Sequence, residues 1–264
     1  MKTTLPVYKA DAFTNKLFGG NPAAVCPLQE WLPTEVMQKL AAENNLSETV
    51  FFVKEGEHYH IRWFTPGTEV KLCGHATLAS AHIFYTELGY TNDTILFNSL
   101  SGILKVTRSE PGRYTLDFPA NPPQPIDEIP AGMFEGLGIA PCPVFKTSFD
   151  YMVVLPSQQD VEALAPDFKT LAQVEARGVI ATAKGNEADF VSRCFYPQSG
   201  IDEDPVTGSA HTIMVPYWAK ELNKTFLKAV QISKRKGFLE CELKADRVLM
   251  SGNVVTYLKG EYYL

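Results

Sequence analysis

Arg62-Trp63-Phe64-Thr65-Pro66, then a loop and Gly74-His75-Ala76, has a counterpart far down the chain. It is Arg193-Cys194-Phe195-Tyr196-Pro197, then a loop three residues longer and Gly208-Ser209-Ala210. Both read Arg-x-Phe-x-Pro before the loop and Gly-x-Ala after it. Each opens an apolar stretch, the first to about Leu88 and the second to about Leu222. Two matches in the same order predict an internal duplication. Between them lies Pro119-Ala120-Asn121-Pro122-Pro123-Gln124-Pro125, with Pro130 close behind. Prolines at that density continue neither sheet nor helix, so the segment reads as a stiff linker between lobes 1–120 and 126–264. A terminal strand crossing back to the first lobe is a further expectation.

Working outward, Val50 to Val53 and His60 to Phe64 read as a hairpin around the polar Lys54-Glu55-Gly56-Glu57. Val179 to Ala183 and Phe190 to Phe195 read as its counterpart around Lys184-Gly185-Asn186-Glu187. His75-Ala76-Thr77-Leu78-Ala79-Ser80-Ala81-His82-Ile83-Phe84-Tyr85 has no polar stripe, and a helix apolar all round has to be surrounded by protein. Thr94 to Phe97, Gly102 to Thr107, Arg113 to Phe118 and at least three segments after Leu227 read as strands. The expected fold class is α+β: two similar lobes, each a curved, barrel-like mixed β-sheet wrapped around a central buried helix. A more exposed helix, Thr34 to Asn44, is expected outside the first lobe.

Composition narrows the function. Of 264 residues, 45% are hydrophobic and 20% charged, which suits a core-forming globular chain. The net charge of −6, without a basic run, argues against nucleic acid as a partner. No apolar stretch approaches the ~20 residues needed to cross a bilayer, and the first residues lack the apolar core of a signal peptide. Cys26, Cys73, Cys142, Cys194 and Cys241 are scattered, odd in number and never in a CxxC pair. That pattern speaks against a disulfide framework or a zinc site and suits a reducing cytoplasm. His58, His60, His82 and His211 form no ligand cluster, so no metal is expected.

Gly74 and Gly208 each stand where a loop enters a buried helix. The first turn of a helix exposes unpaired N–H groups and partial positive charge, and glycine lets a ligand approach the backbone. Such a matched pair is suited to binding a small carboxylate, although both glycines could instead only relieve crowding. Glu48 directly precedes the apolar Thr49-Val50-Phe51-Phe52-Val53. A glutamate at the mouth of a buried strand suits an acid/base role; the plainer alternative is a solvated turn carboxylate. Ser209 could simply cap its helix, His75 could make only a helix-opening hydrogen bond, and Asp204 lies in an acidic turn, Asp202-Glu203-Asp204-Pro205.

Four motifs together resemble the phenazine-biosynthesis PhzF-like family: Gly20-Asn21-Pro22-Ala23-Ala24-Val25, Asn45-Leu46-Ser47-Glu48-Thr49-Val50-Phe51, Cys73-Gly74-His75-Ala76 and Glu203-Asp204-Pro205-Val206-Thr207-Gly208-Ser209-Ala210. The likeness runs from Ala10-Asp11-Ala12-Phe13 to Ser251-Gly252. It implies a two-lobed diaminopimelate-epimerase-like fold and a homodimer. It also implies a cofactor-free isomerase similar to that acting on trans-2,3-dihydro-3-hydroxyanthranilate. Carried across, it makes Glu48 the proton shuttle, with His75 and Asp204 assisting proton traffic. Gly74, Gly208 and Ser209 then bind the substrate. Two rivals remain. A racemase of this fold would use two opposed thiols, but Cys73 is matched by Thr207, too weak an acid for that task. A non-catalytic carboxylate-binding protein would have no need of an acid at Glu48.

Overall fold

Along the strand that begins at Glu48, side chains alternate between two faces, and that alternation organises the first unit. A computed structural model describes residues 4–264, divided into two units: 4–118 with Met250–Leu264, and Pro119–Leu249. In chain order the first unit contains β1 (Thr4–Ala12), β2 (Asn21–Leu28), α1 (Thr34–Asn44), β3 (Glu48–Glu55), β4 (His58–Phe64) and β5 (Glu69–Val70). There follow α2 (Gly74–Thr86), β6 (Thr94–Ser99), β7 (Gly102–Glu110) and β8 (Arg113–Pro119). On β3, Phe51 and Val53 join the buried Met37, Leu40 and Ala41 of α1, and Thr49 accepts a hydrogen bond from Asn44 Nδ2 at 2.9 Å. Phe52, on the other face, stacks against Phe84 of α2 with ring centroids 4.5 Å apart. Glu48 shares the Phe52 face and therefore looks toward α2. A one-residue slip in register would turn it toward α1.

The helix α2 is buried without interruption from Gly74 to Phe84. Around it the strand pairing closes on itself. β1 pairs with β2, β2 with β3, β3 with β4, β4 with β6, β6 with β7, and β7 with β8. β17 (Arg247–Tyr263) pairs with both β8 and β1, making a closed eight-strand barrel. Two glycines set its seams. At Gly20, φ is +57° and a Cβ would lie 2.0 Å from the Ala12 carbonyl oxygen; at Gly252 a Cβ would meet the Phe13 ring at 2.5 Å. Gly20→Ala is therefore expected to destabilise the protein by about 1–3 kcal/mol. Urea denaturation would check this, and an unchanged midpoint would contradict it.

The second unit repeats the plan. It contains β9 (Gln124–Pro125), α3 (Met133–Leu137), β10 (Val144–Lys146), β11 (Asp150–Val154), α4 (Gln158–Glu162), α5 (Phe168–Leu171), β12 (Gly178–Lys184) and β13 (Phe190–Tyr196). β14 (Ile201–Asp204), α6 (Gly208–Leu222), β15 (Phe226–Gln231) and β16 (Gly237–Lys244) complete it. The pairings β10–β11, β11–β12, β12–β13, β13–β15 and β15–β16 are antiparallel, parallel, antiparallel, parallel and antiparallel. The series from β1 to β7 through β2, β3, β4 and β6 has the same order of senses.

The duplicated arginines do matching work. Arg62 donates from Nε and Nη2 to Glu69, at 2.7 Å each, and Arg193 donates likewise to Glu203, at 2.8 and 2.9 Å. Glu69 follows its arginine by seven residues and Glu203 by ten, which absorbs the longer loop. Each guanidinium also lies over the phenylalanine of its own motif, Phe64 at 5.1 Å and Phe195 at 5.2 Å. The fork locks the strand end against the loop that leads into the central helix.

Two details go beyond the sequence reading. The proline-rich segment, read as a stiff linker, is docked: β9 pairs with β10, and Asn121 N–H donates to the Thr212 carbonyl at 2.9 Å. Pro216 inside α6 has no N–H for that carbonyl, so the segment supplies the missing donor. The helix expected at Thr34–Asn44 has no single equivalent in the second unit. The short α3, α4 and α5 cover the core formed by Val161, Leu171, Val179 and Phe195 instead.

Candidate active site

Position along β2 and β3 decides which polar groups face α2. Ala24, Cys26 and Leu28 pack with α1, so Asn21, Ala23 and Val25 look inward, and Glu48 pairs in register with Ala23. Asn21 is fully buried; its Nδ2 lies 3.1 Å from His75 Nδ1, and its Oδ1 accepts from Ser47 Oγ at 3.3 Å. On its other edge, His75 Nε2 lies 3.2 Å from Glu48 Oε2. The alignment falls short of a hydrogen bond, leaving a close polar contact. An amide N–H donated to Nδ1 places the imidazole proton on Nε2, facing the carboxylate. Burial drives the His75 pKa down to about 3, against a smaller upward pull from the Pro22 backbone, so the ring is neutral at working pH. Glu48 keeps 13% side-chain exposure, against 4% for His75. Cys73 Sγ lies 3.5 Å from His75 Nδ1.

The helix geometry adds an electrophilic element. Cys73 is the N-cap of α2 with extended backbone, and no side chain among the described residues caps it. Gly74 and His75 therefore begin the helix with main-chain donors outside the helical ladder. Thr77 Oγ1 donates to the Cys73 carbonyl at 2.5 Å.

The second unit holds a separate constellation. Asp204 is buried, and its Oδ2 accepts from Thr207 Oγ1 at 2.5 Å. Gln231 Nε2 donates to the Asp204 carbonyl at 2.7 Å, and Gln231 Oε1 accepts from Thr207 N–H at 2.8 Å. Thr207 is the N-cap of α6, again without a side-chain cap. Ser209 does not cap the helix, the plainer alternative for it: it is the second helical residue, and its carbonyl accepts from Thr212 Oγ1. His211 Nδ1 meets the Thr207 carbonyl at 2.8 Å, the place Thr77 takes in α2.

Glu48, Gly74 and His75 thus lie together in the first unit, and Asp204, Gly208 and Ser209 in the second. Asn21 and Gln231 were not singled out from sequence, and Thr207 only as the counterpart of Cys73. Asn21 carried a readable signal, a polar residue between Gly20 and Pro22 at a strand start; Gln231 carried none. His82 is a satisfied core histidine, between Tyr114 Oη and Thr256 Oγ1 at 3.0 Å each. Clefts of about 420 Å³ beside Asp150 and about 400 Å³ beside Leu164 contain none of the candidate residues.

With this geometry described, comparison with known proteins is direct. The family model for phenazine biosynthesis-like proteins matches residues 10–260. An uncharacterized isomerase of Pseudomonas aeruginosa is 48% identical over 260 residues, covering 98% of this chain and 99% of that protein. One from Halalkalibacterium halodurans is 48% identical over 266 residues, covering 99% of each. The crystal structure of a PhzF-family phenazine biosynthesis protein from Enterococcus faecalis superposes with a TM-score of 0.95 at 46% identity, covering 99% of this chain and 100% of that one. A probable proline racemase from Agrobacterium radiobacter, 9% identical with a TM-score of 0.67 over 98% of this chain and 93% of its own, shares the fold alone. By family model, relatives and structure alike, this chain belongs to the phenazine biosynthesis-like protein family and is an isomerase.

Proposed function

We propose that this isomerase moves a proton within a small carboxylate substrate by a single base, Glu48, without a cofactor. The observation that carries the reading is the 3.2 Å approach of Glu48 Oε2 to the neutral His75 Nε2, beside the uncapped start of α2. Glu48 removes a proton from a carbon made acidic by conjugation to the carboxylate. His75, beside the carboxylate base, relays protons, and Asn21 fixes its tautomer. Gly74 at the start of α2 binds the substrate carboxylate and opposes its growing charge; in the second unit, Gly208 and Ser209 at the start of α6 are the substrate-binding residues that the family resemblance implies. Asp204 assists proton traffic. The dihydrohydroxyanthranilate reaction is one member of this substrate class. A homodimer and a cytoplasmic location belong to the same reading; five free thiols support the second, and light scattering would test the first.

The test is a screen of small unsaturated and 2-amino carboxylates for solvent deuterium exchange. Exchange that never exceeds the uncatalysed rate with any of them would count against the reading. The racemase alternative needs a second thiol where Thr207 stands, and the Thr207 hydroxyl already donates to Asp204. Cys73→Ala is accordingly expected to retain turnover within about 5-fold, since no transition-state contact is removed. Abolished turnover with an intact circular-dichroism spectrum would favour the thiol mechanism instead.

A further inference from the structure

Glu48, Cys73 and His75 each bring one potential ligand atom to a single place, a carboxylate oxygen, a thiol sulfur and an imidazole nitrogen, all within 4.8 Å of one another. Cys73 and His75 are buried and Glu48 is partly open. We propose that this cluster binds a thiophilic divalent cation, with Zn2+ the best fit, and that the bound ion switches the enzyme off by occupying Glu48.

The donor set argues for the metal. One sulfur, one nitrogen and one oxygen, with a fourth position open, is the chemistry of three-ligand zinc sites. Zinc bonds of about 2.0–2.3 Å put tetrahedral ligand atoms about 3.3–3.7 Å apart. The 3.5 Å from Cys73 Sγ to His75 Nδ1 is of that size, while Glu48 Oε2 lies 3.2 Å from the other ring nitrogen, Nε2. One ion uses only one ring nitrogen, and a rotation of the partly open Glu48 side chain brings the remaining ligand in. Nδ1, the ring nitrogen beside Cys73 Sγ, is the one the ion takes, and Asn21 Nδ2, which donates to it in the metal-free protein, turns aside as the ion binds. Binding converts the Cys73 thiol to a thiolate and releases one proton to solvent. Magnesium and calcium, which prefer all-oxygen shells, should not compete. The sequence hid the cluster because Glu48 lies on β3, while Cys73 and His75 open α2.

The binding half stands alone; the inhibitory half rests on Glu48 being the base. Binding is tested on the full chain without substrate, and inhibition with whichever carboxylate the chain exchanges. Co2+ is titrated while thiolate-to-cobalt charge-transfer absorption is followed, and Zn2+ affinity is measured by competition with a chromophoric chelator. Wild type should take one ion per chain with a thiolate band. Cys73→Ser, nearly isosteric, should lose the band and weaken Zn2+ binding by about 100-fold or more, while Glu48→Gln should keep the band and weaken binding. Stoichiometric Zn2+ should abolish wild-type deuterium exchange. No thiolate band, or one that survives Cys73→Ser, would overturn the site. Binding that leaves wild-type turnover unchanged would overturn the inhibition, while Glu48→Gln turnover decides separately whether Glu48 is the base.

Discussion

Glu48→Gln is expected to lower turnover by about a thousand-fold or more, with ligand binding retained. Glutamine keeps the volume of glutamate and its reach toward His75 Nε2, so packing around α2 should be undisturbed. What it loses is the ability to accept a proton and give it back. In a shift along one face of the substrate a single base serves two neighbouring carbons, so no second acid opposite the base is required. Removing that base therefore removes the whole proton path rather than one half of it. On the proposed reading the start of α2 would still hold the carboxylate, so the loss should fall on kcat rather than on affinity. With the natural substrate in deuterated water, wild type should place label on the acceptor face that Glu48 serves. Near-normal turnover by Glu48→Gln, or an absolute demand for an added cofactor, would refute the mechanism.

Much of this was legible before any coordinates, and for identifiable reasons. The repeated Arg-x-Phe-x-Pro and Gly-x-Ala patterns exposed the duplication because each half needs the same corner. The arginine locks the strand end, and the glycine starts the buried helix. The continuous apolar run after Gly74 marked α2 as a central helix, and the β3–β4 hairpin followed from its polar turn. The pairing of Arg62 with Glu69 and Arg193 with Glu203 went unread, because an acidic residue in a polar loop looks like solvent-facing charge. The same ambiguity hid the separate parts played by Glu203 and Asp204 within one acidic run. α4 and α5 were also missed: helices of one turn, next to Pro156 and Pro166, carry no period to detect. Glu48 facing His75 depends on strand register, and Gln231 reaches Asp204 from β15. Both are tertiary facts that no local pattern encodes.

Acid should unfold the protein steeply, beginning with the first unit. Burial lowers the pKa of three imidazoles from the usual 6.5: His75 to about 3, and His82 and His211 to about 4. The sign follows from proton counting. Between pH 6.5 and about 4 the unfolded chain binds a proton at each of these histidines and the folded chain does not. Stability is therefore complete above 6.5 and is lost as pH falls through that window. Each histidine contributes a slope of up to about 1.4 kcal/mol per pH unit. The first unit carries His75 and His82, about 2.7 kcal/mol per unit, and the second carries only His211. Against a typical stability of about 5–15 kcal/mol, two pH units are enough to bring the first unit close to unfolding. Urea midpoints should fall from pH 7.5 to pH 5.5, and hydrogen exchange read by mass spectrometry should show α2 and β8 losing protection before α6. The acid limb of the activity profile should then follow this unfolding rather than an imidazole titration in the site, because His75 stays neutral for as long as the unit stays folded. Equal urea midpoints at the two pH values would mean that these rings are hydrated in solution, and His75 would then be free to act as an imidazolium.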